Sequence, residues 1–345
     1  MNDDLTSMGD EQDLLRTVAR LIDRSSFGSE SARSLRDRTP HRVAERAVRR
    51  IPDNRCLHEL FEEQVQRTPK ATALIFDDAK VSYVDLNARA NQLARYLIRQ
   101  RVRRGDVVGV YFDRSPLSIA ALLAVLKTGS AYTMLDPKWA LERLHSEVAI
   151  SGARVVITIG GRSARLYTTG VDVIRLDSEV VGRIAHEQQD DLSHQGDSAD
   201  VACVMLDSGM NCVARSHREL VSTYLGQCDL HLGPDEVLLQ CSPVTGNAFG
   251  LELFGSLLVG GAALLQPGQI PDLDMIVRLV TRHNVTALQL SPNLFNALLD
   301  ECPGVFRIVQ QVLISGEPTS AQLVTKALHE FPQLHLVHEP QTSGW

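Results

Sequence analysis

Chemistry in this chain is concentrated in Val201-Ala-Cys-Val-Met-Leu-Asp-Ser-Gly-Met-Asn-Cys-Val-Ala-Arg-Ser-His-Arg218. The run Val201 to Leu206 reads as a buried strand, Asp207-Ser208-Gly209 as a turn at its end, and His217-Arg218-Glu219-Leu220 as the opening of a helix. Strand, small-residue turn and helix start form the arrangement that offers backbone N–H groups to phosphate oxygens. A phosphate-gripping loop would continue with Gly, Ser or Thr and then a Lys. Here Met210, Asn211, Cys212, Val213 and Ala214 follow, and no lysine occurs between Lys138 and Lys326. The loop can bend, but its ammonium group is gone.

The elements that position this stretch follow an α/β rhythm from Cys56 onward. Leu57, Leu60, Phe61 and Val65 mark a helix that Pro69 stops. Ala73–Phe76, Val107–Phe112, Val155–Thr158, Val171–Ile174, Val237–Leu239, Ala262–Leu265, Thr286–Leu288 and Gln311–Ile314 read as strands. Between them, Leu86, Ala90, Leu93, Ala94 and Leu97 line one helical face, and Leu117 to Leu126 is apolar throughout. Strands alternating with helices predict mixed, mostly parallel sheets covered by helices on both faces. Residues 187–200 read as a polar surface link.

Residues 1–55 differ from the rest. An apolar stripe at Leu14, Leu15, Val18, Leu21 and Ile22 gives way to an arginine-rich run from Arg33 to Arg50. Charge patterning fits a solvated, partly disordered leader, and a docking arm for a partner protein is the other reading.

Composition narrows the class. The chain has 345 residues, 44% hydrophobic and 22% charged, with a net charge of −7. That balance is globular, and it lacks the basic face that nucleic acid requires. No apolar run reaches the roughly 18–20 residues needed to span a bilayer, and the acidic N-terminus lacks a signal-peptide core, so a cytoplasmic protein is expected. The six cysteines form no C-x-x-C pair and read as reduced, partly buried thiols, and no metal site is expected. His329, His335 and His338 read as a loop or strand-edge cluster.

Several motifs in order carry a family resemblance. They are Leu57-His-Glu-Leu-Phe-Glu-Glu-Gln-Val65 with Thr68-Pro69, Val81-Ser-Tyr-Val-Asp-Leu-Asn-Ala-Arg-Ala-Asn-Gln-Leu-Ala94, and Leu126-Lys-Thr-Gly-Ser-Ala-Tyr-Thr-Met-Leu-Asp-Pro137 with Glu142-Arg-Leu144. With these motifs, residues 56–345 resemble the adenylation domains of nonribosomal peptide synthetases, within the adenylate-forming superfamily. The resemblance implies the large N-terminal part of that fold. In the family, ATP activates a carboxylic acid as an acyl-adenylate, which then becomes a thioester on a carrier protein.

The same resemblance marks where this chain departs. Ser208, Gly209 and His217 match the ends of the family's phosphate loop, but the lysine-bearing part between them is missing. Preorganised donors aimed at developing charge are each worth roughly 10²–10³ in rate, so losing several together should nearly abolish turnover. Leu251-Glu-Leu-Phe-Gly255 places neutral Asn247, with Ala248 beside it, where the family's Asp pairs with an α-ammonium. Asn247 also reads as a turn residue after Thr245-Gly246. Ser315-Gly316-Glu317 resembles the segment bordering the acyl and adenine pockets. Ser343 falls at the position of the fifth motif's Thr, Gly344 at that of its Mg²⁺ carboxylate, and Pro340 at that of its aromatic residue. The small C-terminal domain with the catalytic Lys does not follow.

These departures predict an adenylation-domain homologue unable to complete ATP-dependent acyl activation, with no cofactor, acting as an interaction protein or relic. A peptide-synthetase or carrier-protein partner fits that role, as does a homo-oligomer formed through surface exposed by truncation. One alternative is an acid-activating enzyme for a non-amino acid that uses ATP and Mg²⁺, with the small domain supplied in trans. Another is a small-molecule binder using the old acyl pocket.

Overall fold

A computed structural model describes residues 54–193, 196–207, 209–227, 230–268, 272–316 and 320–340. The leader up to residue 53, and with it the docking-arm and solvated-leader readings, lies outside the described residues.

Helix α1 (Leu57–Arg67) opens the fold, and Glu59 closes its first turn by accepting the Cys56 N–H at 2.7 Å. Strands β1 (Thr72–Phe76) and β2 (Ala79–Ser82) form a hairpin over Asp77-Asp78. Ser82 then caps α2 (Tyr83–Arg99) by accepting the Asp85 N–H at 3.2 Å. Next come β3 (Val107–Tyr111), α3 (Pro116–Lys127), β4 (Ala131–Met134), α4 (Leu141–Ser151), β5 (Val155–Ile159), β6 (Asp172–Leu176) and α5 (Ser178–Ile184). Beyond the link stand β7 (Val201–Leu206), β8 (Cys212–Ser216), α6 (His217–Ser222), β9 (Val237–Gln240), α7 (Asn247–Leu257) and β10 (Ala262–Leu265). The last elements are α8 (Leu273–His283), β11 (Ala287–Leu290), α9 (Pro292–Glu301), β12 (Gln311–Gly316), α10 (Ala321–Glu330) and β13 (His335–Pro340).

The strands make two sheets, ordered β13-β12-β11-β9-β10-β1-β2 and β6-β5-β3-β4-β7-β8. Both are parallel except at one edge, where β2 and β8 pair antiparallel with β1 and β7. The expected mixed, mostly parallel sheets are thus present. Alternation along the strands covers both faces. In the second sheet, Val108, Val110, Val155 and Ile157 face the main core, whereas Tyr111 and Val156 face α4 through Leu144 and Val148. In the first, Leu74, Ala263, Leu265 and Leu313 face the main core, and Leu239, Leu264, Leu288 and Val312 face α8 and α9.

Helices α2, α3 and α7 therefore lie between the sheets. This explains the unbroken apolar sequence of α3: Ile119 to Leu126 are all buried, because a helix enclosed on every side needs no polar stripe. Each buried Leu or Val contributes about 1.5–3 kcal/mol. Lys127, at the end of α3, is also buried, and it pairs with buried Glu62 of α1.

The polar link is more than a surface strand of chain. Three side chains of α2 grip its backbone and a fourth grips a side chain. Asn91 Nδ2 donates to Gln189 O at 2.7 Å, and Gln92 Nε2 to Ala185 O and Glu187 O at 2.9 and 3.1 Å. Arg95 Nη1 donates to Gln188 O and Asp190 O at 3.2 and 2.7 Å, and Asn87 Nδ2 donates to the Asp191 carboxylate at 2.7 Å. Burial alone would raise the Asp191 pKa, but the amides of Asn91 and Asn87 and the charge of Lys127, 3.5 Å away, bring it below the usual value.

Candidate functional site

Parallel strands present their carboxyl ends to one side of a sheet, where loops gather functional groups. Two such loops matter here, one after β7 and one after β9.

The loop after β7 closes a β-hairpin. A second strand, β8, intervenes before the helix, and this corrects the strand–turn–helix reading. Leu206, Met205 and Val204 pair with Cys212, Val213 and Ala214. The five residues of β8 carry the chain about 17 Å before α6 begins, so the helix N-terminus is not presented to the turn. The sequence did hold a hairpin signal, because Asp-x-Gly between two strand-prone runs favours a tight antiparallel turn.

Ser208 lies outside the described residues; the rest of the turn is closed by Asp207. Asp207 Oδ1 accepts the N–H groups of Gly209 and Asn211, both at 2.8 Å, and Asn211 Nδ2 donates to Oδ2 at 3.0 Å. Met210 adopts a left-handed φ of +62°, a strained backbone for a side chain of its size. The Asn211 N–H, then its side-chain amide, hold the Asp207 carboxyl below the usual range. The donors a phosphate would need are turned onto a carboxylate supplied by the turn itself.

His217 lies elsewhere. It is the first residue of α6 and is buried, and its Nδ1 accepts the Leu57 N–H of α1 at 3.1 Å. Burial pushes its pKa down to about 4, against the pull of Asp200 and Glu59. His217 therefore joins two helices as a neutral acceptor, apart from the turn with which its spacing had grouped it. The fold also gathers histidines that are scattered in sequence. Potential ligand atoms of Cys56, His58 and His217 lie within 4.8 Å of one another. Cys56 and His217 are protonated as packing groups. A neutral His217 ring that accepts at Nδ1 carries its hydrogen on Nε2, and burial raises the Cys56 thiol to about 12.

The loop after β9 is held from far away. Arg114, almost fully buried, donates from Nη1 to Gln240 O at 2.7 Å and from Nη2 to Ser242 O at 2.6 Å. Glu252 of α7, wholly buried, accepts the Ser242 N–H at 3.0 Å and its hydroxyl at 2.7 Å. Burial raises the Glu252 pKa to about 7, opposed by the Ser242 side chain and the Arg114 charge. Sequence reasoning used Glu252 only to set a register and passed over Arg114. The available signal was a lone charge inside an apolar helix, which requires a partner.

This loop delivers Asn247 and Ala248, both half-buried, as the first two residues of α7 behind the N-cap Gly246. Asn247 is thus a helix-start residue, which corrects its reading as a turn residue. Ser315 and Gly316 end β12, two strands from β9 across β11, so about 10 Å of sheet separates the two strand ends. Gln289 Nε2 of β11 donates to Ser315 Oγ at 3.1 Å. Glu317 and Ser343 lie outside the described residues. No described helix is long and apolar enough to cross a membrane.

The motifs and the architecture agree with known proteins. A plipastatin synthase polypeptide of Bacillus subtilis is 33% identical over 307 residues, covering 85% of this chain and 12% of the synthase. Malpinin synthetase of Mortierella alpina is 30% identical over 302 residues, covering 84% of this chain and 4% of the synthetase. The chain thus spans a small part of these relatives. In fold it is similar to the N-terminal subdomain of NpsA from Klebsiella oxytoca, with a TM-score of 0.75 and 22% identity, covering 84% of this chain and 75% of that one. The description of the AMP-binding enzyme family matches residues 61–339, so the chain belongs to the AMP-binding enzymes as a homologue of nonribosomal peptide synthetase adenylation domains.

Proposed function

We propose that this chain is an adenylation-domain homologue that does not complete ATP-dependent acyl activation. It serves nonribosomal peptide biosynthesis as an interaction protein for a synthetase or carrier-protein partner, or persists as a relic. One observation carries this reading: the turn after β7 spends the Gly209 and Asn211 N–H groups on Asp207 and bears no lysine. A triphosphate needs those donors and a cation, and here it would meet a carboxylate instead. The residues of this turn do not fit ATP.

ATP–pyrophosphate exchange across a panel of amino, hydroxy, keto and aryl acids tests the reading. The expected result is exchange at background, with the isolated protein and with candidate partners alike. Robust exchange by the isolated protein overturns it.

A second reading is favoured by Asn247, whose neutral amide at the start of α7 gives an α-ammonium no countercharge. An acid lacking that ammonium would lose less. The NpsA N-terminal subdomain has been solved in complex with 3-hydroxybenzoyl-AMSN. On this reading the chain activates a non-amino acid with the small domain supplied by another polypeptide, and exchange appears only when that polypeptide is added.

A further inference from the structure

A cavity of about 60 Å³ lies between the carboxyl ends of β4 and β7 and the start of α7. That is room for roughly four or five water-sized groups. Tyr132, Tyr224, Phe249 and Trp139 supply rings to its wall, and Glu147, Arg143 and Asp207 supply charge.

The aromatic side is built into the fold. A Cβ on Gly250 would stand 2.0 Å from the Tyr224 hydroxyl, so glycine is what admits that ring against α7. Tyr224 stacks on Phe254 with centroids 5.8 Å apart, and its hydroxyl interacts with that of Tyr132. Burial raises the Cys203 thiol to about 12, so that part of the wall is neutral.

The charged side is out of balance. Glu147 of α4 is 5% exposed and pairs with Arg143, whose Nη2 stands 3.6 Å away in a long ion pair; burial still raises the Glu147 pKa, against the pull of Arg143. Arg143 is divided between two tasks: its guanidinium lies 4.6 Å over the Trp139 ring, and its side chain is half exposed. Asp207 adds a second carboxylate, so with both ionised the wall sets two carboxylates against one guanidinium. A buried carboxylate is costly unless a cation meets it closely, and aromatic faces attract cations.

We propose that this cavity binds a small organic ammonium ion of about four or five heavy atoms, its charge against Glu147 and its apolar part against Tyr132, Tyr224 and Phe249. The wall disfavours an anion by its carboxylates, and a neutral molecule leaves Glu147 with only its long contact to Arg143. Asn247, Ser315 and Gly316 take no part, whereas Asp207 belongs both to this wall and to the turn on which the proposed function rests; ammonium binding and ATP–pyrophosphate exchange read the two separately.

Calorimetric titration of the full chain with propylammonium tests the proposal, with propionate and propan-1-ol as size-matched controls. Saturable binding is expected for propylammonium alone. Glu147→Gln should weaken it on the order of tenfold or more, whereas Arg143→Gln should tighten it about threefold by freeing the carboxylate. Should Glu147→Gln not fold, the Arg143→Gln measurement decides alone. Propylammonium that fails to saturate below about 50 mM, equal binding of a control, or an Arg143→Gln affinity that is unchanged or lowered would each overturn the proposal.

Discussion

The turn after β7 and the loop after β9 occupy equivalent places, each leaving the carboxyl end of a parallel strand, yet they are held in opposite ways. The β9 loop is fixed by residues distant in sequence: Arg114 reaches it from beyond β3, and Glu252 from within α7. The described hydrogen bonds that shape the β7 turn lie within Asp207–Asn211. Long-range anchoring ties the β9 loop to the integrity of both sheets. A turn that satisfies itself can be rewritten without disturbing the fold, and this one contains no lysine. The scaffold and this turn are thus held by separate sets of contacts.

The sharpest way to break this comparison is Arg114→Met. It removes the Arg114 donors from Gln240 O and Ser242 O and the countercharge from Glu252, so a loss of about 3–5 kcal/mol in urea unfolding is expected. A loss below about 1 kcal/mol would mean that the β9 loop is not anchored from a distance.

A smaller effect separates two buried groups by the sign of their pH response. Glu252 holds its proton longer in the folded chain, so its contribution is full below pH 4.5 and is lost as pH rises to about 7. His217 is the reverse: its contribution is full above pH 6.5 and is lost as pH falls toward about 4. Subtracting the stability profile of Glu252→Gln from that of the parent should therefore give a curve falling with pH, and subtracting that of His217→Asn a rising one. Each should span on the order of 1–3 kcal/mol. Two curves of the same sign would contradict the assignments.

The smallest effect is expected at the β7 turn. Met210→Gly removes the left-handed strain but enlarges the freedom of the unfolded chain, so the midpoint should move by less than about 1 kcal/mol. A larger loss would show that Met210 packs into the scaffold and that the turn is less self-contained than its hydrogen bonds imply.

Much of this architecture was legible in sequence because the inner strands are buried on both faces. Val107–Tyr111, Val155–Ile159 and Gln311–Gly316 write that burial as apolar runs, and α3 writes it as an apolar helix. The antiparallel edge strands left little trace in residue type, although the turn before β8 carried a hairpin signal. Strand β8 is Cys-Val-Ala-Arg-Ser with no buried residue, and β2 buries only Val81. Such strands are recruited by a neighbour's backbone, which leaves little mark on side-chain type. The site divides along the same line. Its missing lysine is a local fact, visible at once. The capture of the turn's donors by Asp207, the removal of His217 to α1 and the anchoring by Arg114 and Glu252 are non-local or geometric facts that spacing does not encode.

The grip of α2 on the link has a further consequence. Asn91, Gln92 and Arg95 hold main-chain carbonyls, which every amino acid possesses, so the route from α5 toward β7 is dictated by the helix rather than by the residues traversing it. Gln188, Gln189 and Asp190 can therefore change identity without altering the path. Evolution or an engineer could repaint that strip, in charge or in recognition, while the framework beneath stays still.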